Sequence, residues 1–388
     1  MFQLRPYQES AVEAGVKFMS EPTKANGAIL VLPTGSGKSL VIANIAKRLE
    51  GKTIVLQPSK EILEQNYAKL KAYEVDDVSM YSASVWEKLI SKITLCTIGS
   101  VINKTELFDD FDHIIIDECH LVNHEGWQYK QFIEKIGVKV LWLTATPYRL
   151  KQYITGPMIK FLTRNRGSIF QEVIHVTQID EIEMEWFLAK MNYYEIEAIK
   201  EEELELNSTG MDYTDKSVKN HLEKVGMNDK VVQIVNRLVA AGRKHILLFT
   251  RFTWDAEEIV EKLACSSSII TWEMWKKERE RILSQFKDWT IQVVANVWVL
   301  TTGFDFPELD CVVIARPTRS LALYYQIVGR WMRPHKDKSE CWVVDMAQAV
   351  KRFGHVSDLK VIDTTGRGQW VVRSRGRDLT NVFLVRKY

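Results

Sequence analysis

The sequence predicts two tandem α/β domains, each a mostly parallel sheet with helices on both faces. Three observations predict it. Short β-branched runs alternate with stretches of helical periodicity, from Ala28 to Leu143 and again from Val231 to Asp345. Polar clusters stand where the runs end, the place where parallel α/β sheets carry their functional residues. Between the two series the rhythm breaks over about 150–225, with Gly156, Pro157 and Gly167 and then the acidic Glu201-Glu202-Glu203. The expected division is therefore a first domain over 1–165, a linker and acidic insertion over 166–225, a second domain over 226–350, and a basic tail over 351–388.

Leu4-Arg5-Pro6-Tyr7-Gln8 opens the chain. Ala11, Val12, Gly15, Val16 and Met19 then keep helical spacing. Ala28–Val31 is the first expected strand, and Leu40 to Leu49 is helical. Thr53–Leu56 ends in Gln57-Pro58-Ser59-Lys60, and a helix over Glu61–Tyr73 follows. Ile93–Thr97 ends in Ile98-Gly99-Ser100. His113–Ile116 runs into Asp117-Glu118-Cys119-His120, and Val138–Leu143 into Thr144-Ala145-Thr146. In the second series, His245–Phe249, Ser268–Thr271, Ile291–Ala295, Cys311–Ala315 and Cys341–Asp345 read as strands. Val231–Ala240, Trp254–Leu263, Glu278–Phe286 and Ser320–Trp331 read as helices.

Composition narrows the class. The 388 residues are 46% hydrophobic and 26% charged, which speaks against disorder. No run approaches the ~18 apolar residues of a membrane span, and Met1 is not followed by a basic-then-apolar leader, so a cytoplasmic protein without membrane contact is expected. The five cysteines have no Cys-x-x-Cys pair, so neither a zinc site nor a disulfide framework is expected. Net charge is +2, but locally 180–205 carries ten acidic and two basic residues and 351–388 nine basic and three acidic. The basic end suits either a phosphate backbone or a solvated surface.

The chemistry centres on Leu32-Pro33-Thr34-Gly35-Ser36-Gly37-Lys38-Ser39, a glycine-rich loop between a strand and a helix. Loop N–H groups and a helix N-terminus cradle nucleoside triphosphate, a lysine meets the β/γ-phosphates, and a hydroxyl ligates Mg²⁺. Lys38 and Ser39 suit those last two roles. The full pattern wants glycine where Leu32 stands. Hydrolysis further needs one carboxylate for Mg²⁺ and another to orient and deprotonate water. Asp117 suits the first and Glu118 the second. Gln326, Arg330 and Arg333 are spaced i, i+4, i+7, so a continuous helix would place them on one face. That face suits γ-phosphate charge or plain solvent.

Together these segments resemble superfamily 2 helicases and translocases of the DExH type, over about residues 1–350. Arg5 and Gln8 match the adenine-recognising Q motif. Thr34, Gly35, Ser36, Gly37, Lys38 and Ser39 match motif I, which in this family does not require the glycine replaced by Leu32. Gln57 to Lys60 match motif Ia, Thr97 to Ser100 motif Ib, Asp117-Glu118-Cys119-His120 (a DECH box) motif II, and Thr144-Ala145-Thr146 motif III. Phe249-Thr250-Arg251 looks like motif IV, Thr301-Thr302-Gly303-Phe304-Asp305 motif V, and Gln326 to Arg333 motif VI. Within the superfamily the chain looks most like RadD-type DNA repair helicases, with type III restriction translocases as near relatives. The cysteines of the zinc-binding extension usual in RadD-like proteins are missing. The resemblance implies two RecA-like domains with an ATP site in the cleft between them. It implies ATP and Mg²⁺ as cofactors and DNA-stimulated hydrolysis. Gly303 and Asp305 would serve the nucleotide. Ser59, Lys60, Thr97, Ser100, Arg251, Thr301 and Thr302 would meet the backbone of single-stranded or branched nucleic acid, DNA before RNA. An RNA helicase, an annealing or remodelling protein, and a nucleic-acid scaffold without hydrolysis stay open.

The tryptophans fit this picture poorly. There are twelve. Trp142, Trp272, Trp289, Trp298 and Trp331 stand where the resemblance leads us to expect a small residue, mostly glycine, and Trp86 and Trp186 are further candidates. Several of their codons are expected to be UGA, which some bacterial lineages read as glycine; the alternative is genuine tryptophan packing as core or as base-stacking surface.

Overall fold

The computed structural model describes residues 3–82, 89–122, 127–164, 168–300, 306–336, 338 and 340–384. The chain forms two compact units. The first comprises Met1–Arg149, Lys160–Ile182 and Val361–Val372, and the second Leu150–Ile159, Glu183–Lys360 and Arg373–Tyr388.

In the first unit, α1 (Pro6–Ser20) precedes β1 (Gly27–Val31), α2 (Lys38–Arg48), β2 (Thr53–Gln57), α3 (Lys60–Ala72), β3 (Val78–Tyr81), β4 (Ile93–Thr97), α4 (Ile98–Val101), β5 (His113–Ile116), α5 (Trp127–Ile136) and β6 (Val140–Thr144). The chain then makes a hairpin, β7 (Tyr148–Tyr153) and β8 (Gly156–Phe161), before β9 (Glu172–Val176) and α6 (Ile179–Met184). The sheet order is β3-β4-β2-β5-β6-β1-β9, and every neighbouring pair is parallel. Successive side chains of a strand point to opposite faces. Ala28 and Leu30 accordingly join one core with α1 and α2, while Ile29 and Val31 join the other with Phe108 and Phe132. Both faces are covered, which is why every residue of β1, β2 and β6 is buried and their central residues are apolar.

The second unit holds β10 (Lys190–Glu195), α7 (Asp215–Lys224), α8 (Met227–Ala240), β11 (Ile246–Phe249), α9 (Thr253–Lys262), β12 (Ser267–Thr271), α10 (Lys276–Lys287), β13 (Val293–Val297), β14 (Cys311–Ile314), α11 (Leu321–Gly329), β15 (Glu340–Asp345) and α12 (Ala349–Phe353). Its sheet runs β10-β15-β14-β11-β13-β12, again with parallel neighbours. Two doubly covered parallel sheets are the predicted fold class.

The expected boundaries need two corrections. Segment 166–225 is not a free linker. Its β9 pairs with β1, and its β10 pairs with β15 at the edge of the second sheet. Both strands carry polar residues as well as apolar ones, because an edge strand is only half covered, and the alternation of long apolar runs missed them. Nor is 351–388 a free basic tail. It contains α12 and short strands at Lys360–Asp363 and Trp370–Ser374. Three of its cations are paired: Arg352 bonds Glu201 at 2.6 Å and 3.1 Å, Arg373 bonds Asp378 at 2.7 Å, and Arg375 bonds Asp358 at 3.0 Å. The acidic stretch and the basic stretch thus partly neutralise each other through Arg352. Among the described residues, no helix is long and apolar enough to cross a membrane.

Candidate nucleotide site and nucleic-acid edge

Because the first sheet is parallel, the ends of β1, β2, β4, β5 and β6 share one edge. The residues after β1 turn sharply into α2. Gly37 is the helix N-cap in a left-handed conformation (φ 84°), and a Cβ there would meet Gln8 Nε2 at 2.6 Å. Glycine at this point permits both the turn and the approach of α1. Gln8 Nε2 donates to the Ser36 carbonyl at 2.7 Å, and the Tyr7 hydroxyl to the same oxygen at 3.0 Å. The Gln8 Oε1 accepts the Arg5 N–H at 2.9 Å, so the Arg5 segment, Gln8 and the loop form one hydrogen-bonded unit. Leu32, the mismatch in the loop pattern, is fully buried, and its N–H donates to the Thr144 carbonyl at 3.0 Å. That position continues β1 into the core, where a leucine packs and a glycine would not.

Behind the loop lies a polar cluster. The Ser39 hydroxyl donates to Asn66 Oδ1 at 2.7 Å. Asn66 Nδ2 in turn donates to Gln57 Oε1 at 2.9 Å and to Asp117 Oδ2 at 3.3 Å. One amide therefore joins the serine of the loop to the carboxylate at the end of β5. Burial and the neighbouring Glu118 charge push the Asp117 carboxyl up to about 7, against the opposing pull of Lys38. Lys38 Nζ is 3.5 Å from Glu118 Oε1. Glu118 itself is left-handed (φ 46°). Its other oxygen is 3.3 Å from His120 Nδ1, which is also 3.0 Å from the Thr144 hydroxyl. The Thr144 oxygen accepts the Thr146 N–H at 3.0 Å, so the ends of β5 and β6 are linked through His120. A hydroxyl and a carboxylate converging on one small amide make a suitable hard-cation pair, and a lysine with a second carboxylate lies next to them.

Sequence reasoning missed two members of this network, Tyr7 and Asn66. A signal for Asn66 existed: it lies between Leu63 and Leu70 on the buried face of α3, where a polar residue needs partners. For Tyr7 there was no comparable signal, since an aromatic beside a helix start ordinarily packs.

The expected nucleic-acid residues divide. In the first unit, Gln57 and Thr97 are register partners, so the segments after β2 and β4 are adjacent along the edge. The Ser59 hydroxyl accepts the Ile62 N–H at 3.3 Å and caps α3. Lys60 extends into solvent beside Glu64 at 3.6 Å. The Thr97 and Ser100 hydroxyls bond each other at 3.0 Å. Arg251 is a correction. It is only 6% exposed, bonds Asp215 at 2.8 Å and 2.9 Å, Asp212 at 3.2 Å and the Tyr213 carbonyl at 3.0 Å, and so holds the start of α7 rather than facing a ligand. Thr301, Thr302, Gly303 and Asp305, like Trp86, lie outside the described residues.

The shared face expected for Gln326, Arg330 and Arg333 also needs correction. Gln326 is on α11, but the α-helix ends at Gly329. Arg330–Met332 continue as one 3₁₀ turn, and Arg333 is extended (φ −68°, ψ 133°). Pro334 disfavours the helical region for the residue before it, and Arg333 is extended accordingly, so α11 does not run on to Arg333. The side chain of Arg330 is outside the described set.

Comparison with known proteins gives two family matches. Residues 1–149 match the family of the type III restriction enzyme res subunit, and 229–335 the helicase conserved C-terminal domain. The protein of Saccharomyces cerevisiae named "Putative ATP-dependent helicase IRC3" is 23% identical over 89% of this chain, which spans 52% of IRC3. The DNA 3'-5' translocase XPB2 of Sulfurisphaera tokodaii is 24% identical over 87% of this chain and 80% of its own length. Among solved structures, the ATP-dependent type ISP restriction-modification enzyme LlaBIII bound to DNA superposes with a TM-score of 0.61 at 18% identity, covering 89% of this chain and 28% of that one. With the type III restriction res-subunit family matched on one parallel sheet, the helicase C-terminal domain on the other and helicase-named relatives along most of its length, this chain has the two tandem RecA-like domains of the superfamily 2 helicases and is related to the type III restriction enzymes.

Proposed function

We propose that the chain is a DNA helicase or translocase of repair or recombination that couples ATP hydrolysis to movement along a single strand. The observation that carries this reading is the Ser39–Asn66–Asp117 cluster beside Lys38 and Glu118. Lys38 would neutralise the β/γ-phosphates, and the loop from Thr34 to Gly37 would present N–H groups to them. Ser39 and Asp117 would hold Mg²⁺, which supplies charge neutralisation when bound. Glu118, freed from Lys38 by the phosphates, would accept the proton of the attacking water. Its His120–Thr144 link is a route from the hydrolysing carboxylate to the end of β6. Arg5 and Gln8 would read the base. Gln326, Arg330 and Arg333 would answer γ-phosphate charge, with Gly303 and Asp305 at the nucleotide.

Ser59, Lys60, Thr97, Ser100, Thr301 and Thr302 would contact the nucleic-acid backbone, largely blind to sequence. DNA is preferred over RNA because one relative along most of the chain is named a DNA 3'-5' translocase. Phosphate release should be measured with single-stranded, duplex and forked DNA and with matched RNA, with Lys38→Ala as the blank. Stimulation by single-stranded or forked DNA is expected. Stimulation by RNA alone would replace DNA with RNA, and no ATP turnover with any of them would defeat the reading.

A further inference from the structure

Nine non-glycine residues among those described have positive φ, and three of them are tryptophans: Trp186 (60°), Trp289 (71°) and Trp298 (65°). The other six are Glu74, Asp77, Glu118, Gln348, Arg375 and Asn381, all polar and unbranched at Cβ. Tryptophan supplies twelve of 388 residues, so three in nine is a large excess. For a bulky side chain this conformation is a steric outlier, whereas glycine adopts it freely.

The places are glycine places by function too. Trp289 follows the cap residue Asp288 of α10, and Trp186 follows α6 with its N–H donating to the Glu183 carbonyl at 3.0 Å. Helices commonly end on a left-handed residue at this point, usually glycine. The second unit contains the comparison: α8 ends on Ala241 followed by Gly242 at φ 86°. Gly242 and Trp289 thus follow the caps of α8 and α10 in one unit, both with left-handed backbone. Trp298 makes the equivalent reversal after β13, where Asn296 Oδ1 accepts the Val299 and Leu300 N–H groups.

None of the three indoles is drawn into the core. They are 80%, 52% and 50% exposed in sequence order. Trp289 lies beneath Lys244 at 4.5 Å, and Trp298 beneath Arg316 at 3.1 Å. Neither contact requires a left-handed backbone. Trp142 and Trp331, by contrast, are fully buried without positive φ, and Trp272 is exposed without it.

We infer that positions 186, 289 and 298 are glycine in the protein as its source makes it, their codons being UGA read as glycine. The inference is confined to these three. Glycine at 298 would also bare the guanidinium of Arg316, which the indole now covers.

The coding DNA tests this directly. UGA is expected at 186, 289 and 298, with UGG at Trp127, Trp254, Trp275, Trp342 and Trp370. UGG at the three positions overturns the inference. An independent test needs only the full chain. At each of the three sites, Trp→Gly should melt about 2–4 °C above Trp→Ala, because alanine shares the loss of the indole but not the freedom of φ. At Trp254, inside α9, the order should reverse, with Trp254→Gly below Trp254→Ala. Equal melting of the glycine and alanine variants at 186, 289 and 298 would show that these positions do not call for glycine.

Discussion

The two sheets share strand polarity, double coverage and the placing of polar residues at strand ends. They differ in what those polar residues hold. In the first unit they hold one another: Gln8 the loop, Asn66 both Ser39 and Asp117, Lys38 and His120 the carboxylate of Glu118. In the second, Arg251 holds the fold, tying the end of β11 to the start of α7. Polar residues at strand ends can therefore form a mutually bonded cluster in one sheet and a buried structural anchor in its counterpart. Burial and partner count separate the two cases, and residue type does not.

The largest expected effect is at Lys38. Lys38→Ala should lower ATP turnover by about 10²–10³-fold or more, as losing a transition-state charge partner does, and leave the melting temperature within about 2 °C. A large loss of stability would put Lys38 with Arg251 on the architectural side. Arg251→Ala should do the reverse. Losing a buried, four-bonded guanidinium should cost about 2–4 kcal/mol of stability, moderated because Asp215 can return to water. If instead DNA affinity fell and denaturant unfolding stayed put, Arg251 would be a ligand contact after all.

Asn66→Ala sharpens the contrast within the first unit. It should cost about 10–100-fold in turnover and raise the Mg²⁺ concentration needed for half-maximal rate, the effect of removing a residue that orients ligands. Unchanged Mg²⁺ dependence would reduce Asn66 to packing.

The smallest effect is in pH. The Asp117 carboxyl is raised in the fold from an ordinary value near 4 to about 7, so the folded protein holds a proton there that the unfolded chain has released. Stability of the ligand-free protein from this group is fully present below about pH 4 and declines as pH rises towards 7. Thermal melts at pH 5 and pH 7.5 should show less of this decline in Asp117→Asn. An identical decline in both proteins would remove Asp117 as its source.

Much of the site was legible before folding. Lys38, Ser39, Asp117 and Glu118 are marked by local patterns, because a phosphate loop needs its glycines and its lysine in consecutive places and a strand-end acid pair follows an apolar run. Asn66 was less visible: its role depends on which face of α3 is buried and on β2 and β5 lying side by side. The α11 reading failed for a related reason. The i, i+4, i+7 spacing was correct arithmetic on a helix that ends at Gly329, with Arg333 held extended before Pro334.

By itself the sequence determined the two parallel α/β sheets, their strands of continuous apolar residues and the phosphate loop, since each is written in contiguous residues. It also raised the question of the tryptophans through composition. Tertiary structure alone decided that 166–225 and 351–388 are built into the units, that Leu32 is a core residue, that Arg251 is enclosed by Asp212 and Asp215, and that three tryptophans occupy left-handed backbone. Edge pairing, burial and the sign of φ arise from residues far apart in the chain meeting in space, and local pattern carries no record of that meeting.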